Sequence, residues 1–256
     1  MADATYVYCV IASPRPPRLT RVPRGLPGTG PVRILDVDRG LYIVAADAPP
    51  KRYGEAAISR GLSNLEWVAR SAVAHEAVVE SFIDSTAVLP MKLFTIFTSD
   101  ARARDHVRAQ RVRLAGLAKR VANHHEWGVR VILDRVRGPR RAPRASAAGA
   151  ARTGIAYLAT KKARRDAAVE LAQRARETVA ALYDRLAAKS RLAKRRGASE
   201  LPAEGGPLLL DAAFLVSRGR EAAFRAAVAR EARALARDGY GVTISGPWPP
   251  YTFVQD

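Results

Sequence analysis

The sequence predicts an α+β protein built in two halves, and three observations carry that reading. Strand-like and helix-like periods alternate from the N-terminus to about residue 134. An interruption follows, "RVRGPRRAPRASAAGAAR" at 135–152, with six arginines, two prolines and no acid, the composition of an interdomain linker. The chain then ends in a short, regular strand-helix-strand unit. The expected organisation is a domain over 1–136, a basic linker over 137–152 and a domain over 153–256.

In the first half, "TYVYCVI" is aromatic and β-branched and reads as a strand. A Pro/Gly/Arg loop follows, and "VRILDVDRGLYIVAAD" then reads as a hairpin turning at Asp38-Arg39-Gly40. Ser63 and Glu66 have capping-box spacing, and Leu65, Val68, Ala72, His75, Val79 and Phe82 fall on one helical face. In "TAVLPMKLFTIFTSD", Pro90 removes a ladder donor, so an edge, a bulge or two short strands is expected there. Ser99 or Asp100 caps a basic helix with Val107, Leu114, Leu117 and Val121 inward, and "EWGVRVILD" closes this half as a strand.

In the second half, Ile155, Leu158, Val169, Val179, Leu182, Leu186 and Leu192 recur through a long helical stretch broken by "KSRLAKRRGASELPAEGGP". "LLLDAAFLVS" reads as a strand, and the next helix turns Phe224, Ala227, Val228 and Leu235 to one side before a glycine stop. "YGVTISG" alternates like a half-buried strand. In the closing "GPWPPYTFVQD", Pro247, Pro249 and Pro250 exclude helix and central strand from Gly246 to Tyr251. The segment either folds back or is displayed as a ligand. Burying Trp248 and Tyr251 at ~150–250 Å² each outweighs the ordering of a proline-stiffened segment, which favours folding back onto the C-terminal domain.

Composition narrows the function. The 48% apolar content supports real cores, and no run reaches the ~18–20 apolar residues of a membrane span. No secretory signal is visible, and Cys9 is the single cysteine, which fits a cytoplasmic protein. The net charge of +19 fits an anionic partner such as nucleic acid, or solvated basic helix faces. "HEAVVE" has Val79 where a zinc motif needs its second histidine, and "NHHEW" lacks further ligands, so no metal is expected. "GLPGTG" is neither a dinucleotide nor a phosphate loop, and no nucleophile elbow occurs. No catalytic residue and no cofactor is nominated.

Five stretches in register, "TYVYCVI", "AHEAVVESFIDSTAVLPMKLFTIFTSD", "EWGVRVILD", "GIAYLATKK" and "GPWPPYTFV", resemble the gas vesicle protein GvpL/GvpF family over nearly the whole chain. The resemblance implies two α+β domains, the N-terminal one ferredoxin-like and the C-terminal one a long helix on a short sheet. It implies a non-enzymatic accessory structural protein, cytoplasmic and associated with gas vesicles. The implied partners are the small apolar shell protein and other accessory proteins of that assembly; the alternative, from the +19 charge, is a basic nucleic-acid- or anion-binding module. The motif residues are His75, Glu76, Pro90, Lys92, Tyr157, Trp248, Pro249, Pro250 and Tyr251. Lys92 stands where relatives carry arginine, and an ammonium does not reproduce a bidentate guanidinium contact.

Overall fold

The computed structural model describes residues 4–38, 40–133, 154–197 and 206–254, with backbone alone for 154–159. The chain divides into two compact units. One joins Met1–Glu126 to Gly246–Asp256, and the other is Trp127–Ser245.

The first unit is organised by β1 (Ala4–Ala12), which pairs antiparallel with β3 (Leu41–Ala48) on one side and with β4 (Ala87–Pro90) and β5 (Ile96–Phe97) on the other. β2 (Arg33–Asp38) completes the order β2-β3-β1-β4. The register of β1 slips between Val7 and Cys9. Tyr8 is the extra residue there and flips the alternation, so Tyr6 and Tyr8 share one core with Cys9 and Ile11 after the bulge. Val7 and Val10 are buried as well, leaving the strand covered on both faces. The expected interruption at Pro90 takes the form of two short strands, β4 and β5.

Short helices α1 (Pro50–Tyr53) and α2 (Glu55–Gly61) lead to α3 (Leu65–Glu80). Asn64, rather than Ser63, caps α3: its side chain accepts from the Trp67 amide at 3.0 Å. The buried face is Ser71, His75, Val78 and Val79, rotated from the expected stripe so that Leu65 is exposed. The basic helix is two helices, α4 (Asp100–Ala109) and α5 (Arg111–Val121), and Val107, Leu114, Leu117 and Val121 are buried as expected.

The second unit is built on most of β6 (His124–Leu133), α6 (Gly154–Ala187), β7 (Leu192–Arg195), β8 (Leu208–Ser217), α7 (Glu221–Ala236) and most of β9 (Tyr240–Trp248), in sheet order β7-β8-β6-β9. Its succession is β-α-β-β-α-β, the ferredoxin-like pattern. The first unit does not show that pattern, because no helix separates β1, β2 and β3. The expectation of a ferredoxin-like N-terminal domain is therefore corrected. β6, read from sequence as the last strand of the first half, contributes Trp127, Val129 and Val131 to the second core. That core also takes Val179, Leu182 and Leu186 from α6 and Phe214 from β8. The expected linker at 137–152 lies outside the described residues.

The tail also departs from expectation. It groups with the first unit, and Trp248 remains 38% exposed, while Pro249, Pro250, Phe253 and Val254 are buried. The last turn, α8 (Tyr251–Val254), is helical.

Leu182 is fully buried beneath the second sheet. Leu182→Ala is expected to lower unfolding stability by about 2–5 kcal/mol through an unfilled cavity, measured by urea denaturation.

Candidate functional site

Four of the nine motif residues, His75, Glu76, Lys92 and Tyr251, come together in the first unit around a cleft of about 230 Å³, which Ala72, Met91 and Leu93 also line. Three stretches distant in sequence build it: the middle of α3, the turn after β4, and the start of α8. Hydrogen bonds fix each of them. Met91 donates its amide to the Tyr8 carbonyl at 2.9 Å, and Val7 donates to the Thr95 carbonyl at 2.9 Å, which ties the turn to β1. Lys92 closes that turn, its carbonyl accepting from the Thr95 amide and hydroxyl at 3.1 and 2.7 Å. Phe94 sits at φ +64°, a conformation unfavourable for a side-chain-bearing residue, and stacks on Trp67 with ring centroids 4.9 Å apart.

His75 is 4% exposed and enclosed by Tyr6 and Tyr8. The Phe94 amide donates to the Tyr6 hydroxyl at 3.3 Å, and that hydroxyl lies 2.7 Å from His75 Nδ1. Burial lowers the His75 pKa to about 4, opposed by the Met91 backbone. Burial likewise pushes the Tyr6 and Tyr251 hydroxyls up, and the carboxylates of Glu76, Glu80 and Glu126 add to the effect on Tyr251.

The tail is held by a buried carboxylate. Glu126 accepts from the Thr252 amide at 2.7 Å and from its hydroxyl at 2.6 Å. It thereby places a negative charge at the N-terminal end of α8, where the free amides point. Sequence reading picked out Glu126 only as part of "NHHEW" and missed this role. A lone carboxylate before a strand carries no local signal for a partner in the tail.

Of the other motif residues, Pro90 ends β4 opposite Cys9, Pro249 and Pro250 are buried in the tail, and Trp248 is exposed outside the cleft lining. Tyr157 lies in the backbone of α6, and its side chain is outside the described residues. Among the described residues, no group of three or more His, Cys, Asp or Glu could hold a metal ion, and no helix is long and apolar enough to cross a membrane.

A two-unit α+β chain of this design shares its fold with gas vesicle proteins of known structure. It matches the crystal structure of gas vesicle protein GvpF from Anabaena sp. PCC7120 with a TM-score of 0.70 at 16% identity, covering 100% of this chain and 97% of that one. It matches GvpF from Microcystis aeruginosa with a TM-score of 0.67 at 17% identity, covering 98% and 99%. Gas vesicle protein L of Streptomyces sp. (strain CB03234) is 28% identical over 236 residues, which covers 91% of this chain and 87% of that protein. The family model described as gas vesicle synthesis protein GvpL/GvpF matches residues 4–255, and the chain belongs to that family.

Two outcomes test this site. The folded pKa of His75 lies below its unfolded value, so the unfolded chain takes up the proton first as pH falls. Stability is then intact above pH ~6.5 and falls by roughly 3 kcal/mol as pH drops towards 4. Urea titrations should show that slope, and His75→Gln should flatten it. Glu126→Ala is expected to free the tail, so that chymotrypsin cuts after Tyr251 or Phe253 before the rest of the chain.

Proposed function

We propose that the chain is a non-enzymatic accessory protein of gas vesicle assembly, which works by docking other polypeptides. The partners are the small apolar shell protein and other accessory proteins of the assembly. The supporting observation is an apolar groove of about 400 Å³ in the second unit, lined by Ala168, Leu171, Ala172, Ala175 and Val179 of α6 with Leu133 and Leu209 of the sheet. α6 has 34 residues, about 50 Å of helix, yet among the described residues the buried core takes it up from Ala175 onward. Leu171, at 52% exposure, and Val169 are left apolar and uncovered. Arg176 and Arg195 stand at the rim.

A subunit whose assembled form carries a large apolar surface aggregates unless that surface is covered while it is still dispersed. Helix-in-groove docking meets that need here better than strand addition does. The outer strand β2 is capped by α4, whose Arg104 and Arg108 donate to the Asp36 and Val37 carbonyls at 3.1 and 3.3 Å. At the opposite edge, the Met91–Phe97 stretch is bonded to β1 on one side, and β4 packs against α5 and α8. The tail, expected to fold back onto the C-terminal domain, groups with the first unit and does not line this groove.

Co-expression with the shell protein provides the test. The two should co-purify at moderate salt, and Leu171→Glu should reduce recovery by an order of magnitude or more, since a charge buried without a partner costs several kcal/mol. Failure to co-purify, with nucleic acid bound instead in a steeply salt-dependent way, would favour the basic binding module.

A further inference from the structure

A second hollow in the first unit gathers positive charge that nothing in its walls balances. It holds about 360 Å³ between α1 and α3, where Lys51, Arg52, Tyr53, Trp67, Arg70 and Ser71 line it. No lining residue is acidic. Lys51 and Arg52 form no ion pair among the described residues. Arg70 reaches Glu66 at 3.8 Å, but both side chains stand mostly in solvent, where such a pair contributes little.

Exposed cations are common in a chain of net charge +19, but these stand on a built wall. Arg52 lies against Gly28: a Cβ there would come within 2.8 Å of Nη1 and 3.0 Å of Cδ, and Gly28 itself sits at φ +80°. Tyr53, buried beside it, donates its hydroxyl to the Pro27 carbonyl at 2.7 Å and fixes the loop that carries Gly28. On the other wall the Trp67 ring lies over Gly61, where a Cβ would come within 2.6 Å of it. The guanidinium and the indole are therefore held in place before any ligand arrives. The floor adds an independent sign. Ser71 lines the hollow at 1% exposure, and its hydroxyl has no hydrogen-bond partner among the described residues. Buried hydroxyls are seldom left unmet, and this one is free to donate to an oxygen entering from the hollow.

Three cations and a free donor select an anion rich in acceptor oxygens. A phosphate monoester carries three such oxygens and about −1.5 to −2 charge at pH 7, more of both than a carboxylate. The volume of about 360 Å³ lies at the lower end of the range for small-molecule sites, about 300–1,000 Å³. We propose that this hollow binds a small organic phosphate monoester. The phosphate oxygens accept from Lys51, Arg52 and Arg70 at the mouth and from the Ser71 hydroxyl at the floor, with Arg70 turning away from Glu66 to meet them. The organic part lies along Trp67, Tyr53 and Ala57. Nothing in this site depends on polypeptide docking at α6, so either can fail alone.

Isothermal titration of the full chain with phenyl phosphate at physiological salt provides the test. One equivalent per chain is expected, with affinity reduced about tenfold or more by Arg52→Gln or by Ser71→Ala, since each removes a hydrogen bond to a charged group. Arg120→Gln, which removes an exposed cation of α5 outside the hollow, should leave affinity unchanged. Benzoate and inorganic phosphate should bind more weakly than phenyl phosphate. Several equivalents with equal sensitivity to Arg52→Gln and Arg120→Gln would overturn the proposal, since that is the diffuse attraction of a +19 chain. Absence of binding, indifference to Ser71→Ala, or equal binding of benzoate or inorganic phosphate would overturn it as well. Tighter binding of Nα-acetyl-phosphotyrosine amide would overturn the assignment to a free small molecule in favour of a phosphorylated polypeptide.

Discussion

Complete burial of β1 is the constraint on which the first unit depends. A strand covered on both faces cannot leave polar atoms unmatched, yet this one carries two tyrosines inward. Each hydroxyl must find a partner, and each partner lies in a different segment. The Tyr8 hydroxyl accepts from the Leu26 amide at 3.0 Å, which pins the proline-rich loop. The loop must come close: a Cβ on Gly25 would lie 1.9 Å from that oxygen, so only glycine fits. The Tyr6 hydroxyl joins α3 through His75 and the turn after β4 through Phe94. Two phenol oxygens therefore set the positions of a loop, a helix and a turn.

The two units solve the same problem differently. The second core is aliphatic and aromatic, and charged groups beside it are paired. Arg185 clasps Glu231 through two hydrogen bonds of 3.1 and 2.9 Å, and so accounts for an acidic residue close to the α7 apolar stripe. Arg130 and Arg196 serve the buried Asp211 at 3.1 and 3.4 Å. The first core is polar inside and draws distant segments together. The second leaves part of its longest helix uncovered. One unit is thus suited to a directional polar contact and the other to an apolar face.

Much of this was legible in the sequence wherever the determinants are local. The β1 run, the hairpin at Gly40, the α7 stripe and the split at Pro90 rest on periods and breakers spanning a few residues. Ser63 and Asn64 are both good caps, and only the turn geometry before α3 selects Asn64. β7 was missed because "LAKR" has no β-branched residue; pairing with β8 makes it a strand. The placement of β6 and of the tail depends on which core each completes, which no window reveals. At the candidate site, the motif named His75, Glu76, Lys92 and Tyr251 one by one. Their convergence, and the part played by Glu126, came from contacts between α3 and residues near the C-terminus.

The chain leaves its first unit at Glu126 and re-enters it at Gly246. Proteins are made from the N-terminus, so the ribosome completes the whole second unit before it delivers Pro249, Pro250, Phe253 and Val254 to the first. Until then Glu126 holds a carboxylate with no Thr252 to receive, and the wall of the cleft that Tyr251 forms is missing. Synthesis order alone therefore keeps the site unformed on a nascent chain, and a message truncated only a few codons early would yield a protein with an intact second unit and an unfinished first.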